Sequence, residues 1–333
     1  MKPLVTIGIT SYKRVNELKR CLESINTKYV NDIEILVSED HSPLSTEIES
    51  MVNSVKNTSA YSIIFSSNEV NLGYDMNLGS IIQKSNGKYV FFMSDDDAIC
   101  PGFLDMLIPF LKNNDKYGVL YAPFIYSWNS NKDRYHGKSF EIRAGEDSAA
   151  KYIYDSILFS GLIFKKECIE QFDASRFKNY NYFQVYMFLK TVNKFGGYYF
   201  DTPSVMCIMD GENAYGISES SGGNSLLADR TSALSILEFN KKLFEIIRIF
   251  DKEENTEVFK SFEKQYSLRA YSPMSLARMQ GVDTFKEYWR MLNSLNIKLY
   301  FVVKFYYIIL LLLGKEQSDK FTSGFRRLVK KEK

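Results

Sequence analysis

The first half of the chain alternates two kinds of short segment, and this alternation restricts the fold more than any other feature. Leu4–Ile9, Ile33–Val37, Ser62–Phe65, Tyr89–Met93 and Val119–Ala122 are runs rich in β-branched and aromatic residues, the composition of strands. Between them apolar residues recur at helical spacing: Val15, Leu18, Leu22 and Ile25; then Ile48, Met51, Val52 and Val55; then Met76, Ile81 and Ile82; then Phe103, Leu104, Leu107 and Leu111. Strand and helix in strict alternation predict a Rossmann-like, doubly wound, mostly parallel α/β sheet. The run Tyr89–Met93 is apolar throughout, which suits a central strand covered on both faces. Ligands of such sheets lie outside the carboxyl ends of the strands. The residues directly after each run are therefore the first place to look for chemistry.

Beyond Asn131 the pattern loosens. Ser156–Phe164 and Gly197–Phe200 read as further strands, with a helix between them through Val185, Phe188, Leu189 and Val192. Asp210–Asn224 is polar and rich in Gly and Ser, the composition of a loop. Leu226–Leu295 reads as helical. The expected division is a nucleotide-binding and catalytic domain over residues 1–224 and a C-terminal helical extension over 225–333. Residues 299–313 are strongly apolar, interrupted only by Lys304. Crossing a bilayer takes roughly 17–25 residues, so this run suits a helix lying on a membrane surface, with a buried C-terminal helix as the alternative. The stretch Lys315–Lys333 carries seven Lys/Arg against three acids, and such a tail favours an anionic membrane surface.

Composition removes other classes. The net charge of +2 gives no bulk attraction for nucleic acid. The four cysteines, Cys21, Cys100, Cys168 and Cys207, form no Cys-x-x-Cys pair, and only His41 and His136 are present, which argues against zinc. Met1-Lys2-Pro3 leads straight into the first strand without an apolar signal segment, which predicts a cytoplasmic location.

The strongest chemical signal is Ser94-Asp95-Asp96-Asp97, directly after the fourth strand. Three adjacent carboxylates repel one another, and a divalent cation relieves that repulsion; Mg²⁺ or Mn²⁺ is often bound by one or two carboxylates plus substrate phosphates. An extended turn would send Asp95 and Asp97 to one side and Asp96 to the other. A merely solvated acidic turn is the alternative. Glu39 and Asp40 end the second strand and offer acceptors for a base N–H or a ribose hydroxyl. Ser11, Tyr12, Lys13 and Arg14 close the first strand and offer an aromatic face and two cations for a diphosphate. Asn71, Gly73 and Asn77 flank a helix start, where glycine permits close backbone approach.

Taken together, these segments resemble the family-2 glycosyltransferases of the GT-A fold over roughly residues 3–215. Ile9–Arg14 is similar to that family's Pro-Thr-Tyr-Asn-Arg opening, and Ser38–Ser42 to its Val-Asp-Asp-Gly-Ser, which implies that Asp40 contacts the base. Asn71–Asn77 resembles Asn-x-Gly-x-x-x-Asn, and Met93–Asp97 with Pro101 downstream resembles the metal-binding Asp-x-Asp. Counting back from Pro101 places Ser94 where the family often has its first Asp and makes Asp96 the best-placed metal ligand, with Asp97 beside it and Asp95 toward the donor. The family also carries Glu-Asp on a later helix, whose Asp deprotonates the acceptor. Asn181–Phe188 contains no acid, which leaves Asp210 or Glu212 as base, or a mechanism that retains configuration.

The resemblance implies a metal-dependent hexosyltransferase using a nucleotide-sugar donor. Within the family the chain looks like the bacterial O-antigen transferases of lipopolysaccharide biosynthesis. That narrower likeness implies an undecaprenyl-diphosphate-linked oligosaccharide acceptor, CDP-abequose as donor, and peripheral attachment at the cytoplasmic face of the inner membrane. A nucleotidyltransferase would also place acids on an α/β sheet, but the Gly-rich basic loop expected after its first strand is missing here. A non-catalytic nucleotide-sugar-binding scaffold is the remaining alternative.

Overall fold

The computed structural model describes residues 2–208, 210 and 232–331. The chain divides into two compact units, Met1–Ala214 and Tyr215–Lys333. The sequence-based boundary at residue 224 falls among residues outside the described ones.

The first unit is built on a sheet of eight strands. In chain order the repeating part runs β1 (Val5–Ser11), α1 (Val15–Ser24), β2 (Ile33–Glu39), α2 (Ser45–Thr58), β3 (Ser62–Ser67), α3 (Tyr74–Lys84), β4 (Tyr89–Ser94), β5 (Asp97–Ile99), α4 (Phe103–Asn113) and β6 (Val119–Tyr121). There follow β7 (Phe124–Tyr126), β8 (Asn129–Asp133), β9 (Phe140–Ile142), α5 (Glu146–Tyr152), β10 (Ile163–Lys165), α6 (Lys166–Ile169), α7 (Phe183–Phe195), β11 (Gly197–Tyr199) and β12 (Val205–Cys207). The large sheet has the order β3-β2-β1-β4-β10-β6-β11-β9, and a smaller one the order β5-β12-β7-β8. Strands β3, β2, β1 and β4 are mutually parallel. β10 enters antiparallel between β4 and β6, so β6, and β11 parallel to it, run in the same direction as β4.

Burial explains the central strands. Tyr89 through Met93 are completely buried, as are Val5, Ile7 and Ile9, and each large apolar side chain so covered contributes about 1.5–3 kcal/mol. Helix α3 lies close on β1 because Gly8 has no side chain: a Cβ there would stand 2.3 Å from Ile81 Cγ2. One expectation fails in this unit. Ser156–Phe164 is not a strand; it begins with a 3₁₀ turn, Ile153–Ser156, and only Ile163–Lys165 is extended. Its apolar residues are buried by packing in a turn rather than by pairing along their length, a distinction that hydrophobicity alone does not carry.

The second unit is helical: α8 (Ala233–Glu254), α9 (Val258–Arg269), α10 (Tyr271–Met279), α11 (Val282–Ser294) and α12 (Phe301–Lys331). Phe244, Phe262, Met274, Phe285, Tyr288 and Leu292 form its interior. α12 is broken at Gly314, whose φ of 70° and ψ of 179° are non-helical. The break reverses the chain. Residues 305 and 321 would stand about 24 Å apart along a continuous helix, yet the Phe305 and Phe321 rings are 6.3 Å apart. Ser318 Oγ donates back to the Ile309 carbonyl at 2.9 Å. The expected lone surface helix is thus half of a helical hairpin. Val303 and Leu310 are buried, whereas Phe301, Ile308 and Leu312 are exposed; these three lie seven and four residues apart and so share one face. No helix among the described residues is long and apolar enough to cross a membrane.

Candidate active site

The carboxyl ends of β1, β2 and β4 converge with the start of α3. β4 ends at Ser94, Asp95 and Asp96 form a tight turn, and Asp97 opens β5. The segment is turned rather than extended, yet the three acids still sort into two directions. Asp95 and Asp97 are buried, and Asp96 is the more accessible of the three.

Each acid has its own partners. Asp95 Oδ1 accepts from Arg14 Nη1 at 2.8 Å and Oδ2 from the Tyr12 backbone N–H at 3.1 Å. The same Arg14 Nη1 lies 3.0 Å from Asp96 Oδ2, so one guanidinium spans two carboxylates. Asp97 bonds with Ser160 and Cys207, and Ser160 Oγ also accepts the Ser94 N–H at 3.0 Å. Burial pushes Asp95 up to about 6, against the opposing pull of Arg14. Burial and the neighbouring Asp96 charge push Asp97 up to about 7. Beneath the turn, burial and then the Asp95 and Asp97 charges hold the Cys21 thiol protonated.

Desolvation chiefly raises both acids, and a cation beside them would favour their charged forms. The donor set is sparse: among the described residues no three His, Cys, Asp or Glu side chains converge on a metal position. One or two carboxylates completed by phosphate oxygens match what Mg²⁺ commonly accepts. Asp96 is the most accessible of the three carboxylates, but Ser94 Oγ and Arg14 occupy its two oxygens, and a cation would have to displace one of them; Asp97, expected as a second ligand, points into the protein toward Ser160 and Cys207.

The other sequence-predicted residues separate into those at the crevice and those inside it. Asp40 is buried, and its carboxylate accepts from Asn68 Nδ2 at 3.0 Å and from the Leu72 and Gly73 N–H groups, each at 2.8 Å. It holds the loop before α3. Desolvation raises its pKa and these three donors oppose the rise. Asn71 Oδ1 also accepts from Gly73 N–H at 3.0 Å, and Gly73, at φ 80°, occupies a backbone region that L side chains rarely adopt. Glu39, expected to face a nucleotide, is fully buried; it accepts from the Ser42 N–H and Ser67 Oγ and shapes the turn after β2. Asn77 is likewise internal, tied to Ser38 and Asn68. Both are corrected from ligand contacts to parts of the scaffold. Ser11 Oγ is buried without a hydrogen-bond partner at the end of β1, and Tyr12 lies beside it with Lys13 over its ring.

Asp210 does reach this edge, but not as a free base. Arg20 holds it by a two-pronged pair, Nη1 to Oδ2 and Nη2 to Oδ1, both 2.8 Å, and Arg20 Nη2 also donates to the Asp96 carbonyl at 3.3 Å. The guanidinium lowers the Asp210 pKa, which makes it a poor proton acceptor. Glu212 lies outside the described residues, as does most of the polar loop that contains it.

Sequence reasoning missed Arg20, Ser160 and a second polar cluster on the same edge. Arg20 lies within α1, six residues after Arg14, which precedes the helix; the two meet one acidic turn only once β4 is placed beside β1. In the second cluster, Asp155 Oδ2 takes the His136 Nε2 at 2.8 Å and the Tyr121 hydroxyl at 2.9 Å. The Tyr199 hydroxyl accepts the His136 backbone N–H at 3.2 Å. Its one available signal was that His136 is among only two histidines.

A parallel sheet of order 3-2-1-4 with antiparallel additions, and a paired-acid turn at the carboxyl end of its fourth strand beside arginine, define an α/β glycosyltransferase domain of the GT-A type. Residues 6–175 match the model of glycosyl transferase family 2, and the chain belongs to that family. It is 27% identical over 237 residues to the abequosyltransferase RfbV of Salmonella typhimurium, spanning 63% of this chain and 68% of that one. It is 24% identical over 172 residues to the GalNAc(5)-diNAcBac-PP-undecaprenol β-1,3-glucosyltransferase of Campylobacter jejuni, spanning 50% of this chain and 53% of that one. Among solved structures the fold is similar to residues 1–349 of S. aureus TarS, with a TM-score of 0.54 at 13% identity over 90% of this chain and 97% of that one. It is similar too to the mannosyltransferase PcManGT of Pyrobaculum calidifontis, solved with GDP-Man and Mn²⁺, with a TM-score of 0.52 at 13% identity over 95% and 89%.

Proposed function

We propose that this glycosyltransferase moves a sugar from a nucleotide-diphospho-sugar to a lipid-linked oligosaccharide in O-antigen-type polysaccharide synthesis, working on an anionic membrane surface. The observation that carries the reading is the Ser94–Asp97 turn, desolvated and bridged by Arg14 at the carboxyl edge of a family-2 domain. In this reading Arg14, now paired with Asp95 and Asp96, would turn to the donor diphosphate, and the Asp40-braced loop at Gly73 would border the nucleoside. Asp96, with donor phosphate oxygens completing the set, would hold Mg²⁺ or Mn²⁺. Such a cation, when bound, supplies neutralisation of the charge that develops on the leaving diphosphate.

One relative, which transfers abequose by name, suggests the donor sugar, and another, which acts by name on a diphosphoundecaprenol-linked glycan, suggests the class of acceptor. The exposed stripe Phe301, Ile308 and Leu312 on α12, beside the basic tail, favours attachment to the cytoplasmic face of an inner membrane. CDP-abequose is the donor to test first. Purified protein incubated with CDP-, UDP- and GDP-sugars and extracted lipid-linked oligosaccharide should release nucleotide in Mn²⁺ and stop in EDTA. Release from no donor in the panel sinks the enzymatic reading. Release that is indifferent to EDTA removes the metal and leaves Arg14 as the diphosphate's counter-charge.

A further inference from the structure

We infer that His136, oriented by Asp155, is the catalytic base that deprotonates the acceptor hydroxyl, in place of the carboxylate missing from α7. The inference rests on the glycosyl-transfer reading above.

The cluster stands on the correct edge of the sheet. β6 and β11 run in the same direction as β4, so Tyr121 and Tyr199, at their carboxyl ends, share an edge with Ser94. β6 is two strands from β4, about 10 Å at ordinary strand spacing. Two independent links tie the cluster to the acidic turn. One turn of chain carries both Asp155, bonded to His136, and Ser160, bonded to the Ser94 N–H and to Asp97. Arg134, two residues before His136, is half-buried where the charges of both Asp155 and Asp97 act on it; desolvation lowers its pKa and those charges oppose the lowering. The acidic turn and the His136–Asp155 pair therefore open on the same edge of the sheet, with β10 between the strands that carry them.

The chemistry of the pair sets its polarity. Asp155 Oδ2 already accepts from the Tyr121 hydroxyl, so it faces His136 as an acceptor and Nε2 carries the proton. The basic lone pair is then on Nδ1, and among the described residues nothing pairs with that atom. This is the arrangement in which a carboxylate fixes the tautomer of a histidine base and stabilises the imidazolium it becomes. The groups facing the ring are Asp155, Tyr199, Tyr152 and Phe140, with Asp201 behind Tyr199. The hairpin leading to His136 exposes Trp128, stacked on Tyr126 at 4.7 Å, a flat aromatic face suited to a saccharide ring. Asp210, the base expected from sequence, is bound to Arg20 instead.

In the step, Nδ1 takes the acceptor hydroxyl proton as that oxygen bonds to the anomeric carbon. The bond from the anomeric carbon to the diphosphate oxygen breaks, and its electron pair leaves with the nucleoside diphosphate. The imidazolium, held against Asp155, returns its proton to solvent.

The test uses the full chain, the nucleotide-sugar that wild type turns over fastest in the panel, and extracted lipid-linked oligosaccharide. His136→Gln keeps an amide donor for Asp155 but has no basic nitrogen, so it preserves the tether and removes the base. It should lower kcat by roughly 10²–10⁴-fold with the donor KM unchanged, and Asp155→Asn should also lower kcat by forcing the wrong tautomer. Imidazole added to His136→Ala should restore part of the rate. Wild-type kcat in His136→Gln overturns the inference. So does a loss that imidazole leaves untouched and that appears mainly in the acceptor KM, because His136 would then only hold its loop. A wild type inactive with every donor fails the enzymatic reading itself, and the base assignment goes with it.

Discussion

At the residue scale the acidic turn is a division of labour. Asp95 and Asp97 face inward, one held by Arg14 and one by Ser160 and Cys207, and Asp96, which shares Arg14 and accepts from Ser94 Oγ, is the most accessible of the three. Asp96→Ala should therefore abolish turnover and weaken nucleotide binding in Mn²⁺ far more than in EDTA, which isothermal titration in the two buffers measures. Equal affinities in all four combinations would contradict a metal held by Asp96. Arg20 and Asp210 make an exposed pair, whose stabilising effect is about 0–1 kcal/mol. Arg20→Ala and Asp210→Asn should each lower turnover less than tenfold, and the double variant should be no worse than the stronger single one. A larger, additive loss from Asp210→Asn would return that residue to the role of base.

At the element scale the critical packing is α3 on β1. Gly8→Val forces side-chain atoms into the space of Ile81, and overpacking of this kind costs typically 1–3 kcal/mol. The same shift moves the start of α3, where Gly73 meets Asp40. The variant should melt lower by calorimetry and bind nucleotide more weakly. A normal melting temperature would mean that α3 yields freely. In the C-terminal hairpin, truncating at residue 296 would remove the buried Val303 and Leu310 as well as the exposed stripe. Phe301→Ser with Leu312→Ser is the cleaner test, since both positions face outward. The pair should lose association with anionic vesicles at low salt, by flotation, while its melting temperature holds. Unchanged flotation would remove this face from membrane attachment.

At the scale of the whole molecule, the buried acids make stability depend on pH. Asp97 moves from 3.8 to about 7 and Asp95 from 3.8 to about 6. A carboxyl raised on folding favours the folded state while protonated in it. That contribution is complete below the ordinary pKa and is lost as the pH rises through the folded value. In metal-free buffer the melting temperature should fall between about pH 4 and pH 7, and Asp97→Asn should flatten the fall. A flat profile in the wild type would show that these acids ionise without cost. On this scale the sequence alone determined the α/β class, the strand that carries the acids, and the family. Each is encoded locally: period-two and period-3.6 apolar patterns, and carboxylates directly after an apolar strand. The orientation of each side chain was a matter for tertiary structure. Glu39 and Asn77 have the same composition as crevice residues, yet neighbouring loops and α3 consume their hydrogen-bonding groups. The apparent strand Ser156–Phe164 became a turn because burial can be satisfied without pairing. Asp155 and His136, nineteen residues apart in the chain, meet only once β9 and α5, which lie between them, have folded back against β11 and α7. Local pattern specifies what a segment can be, and contacts between distant segments specify which of its atoms remain free to act.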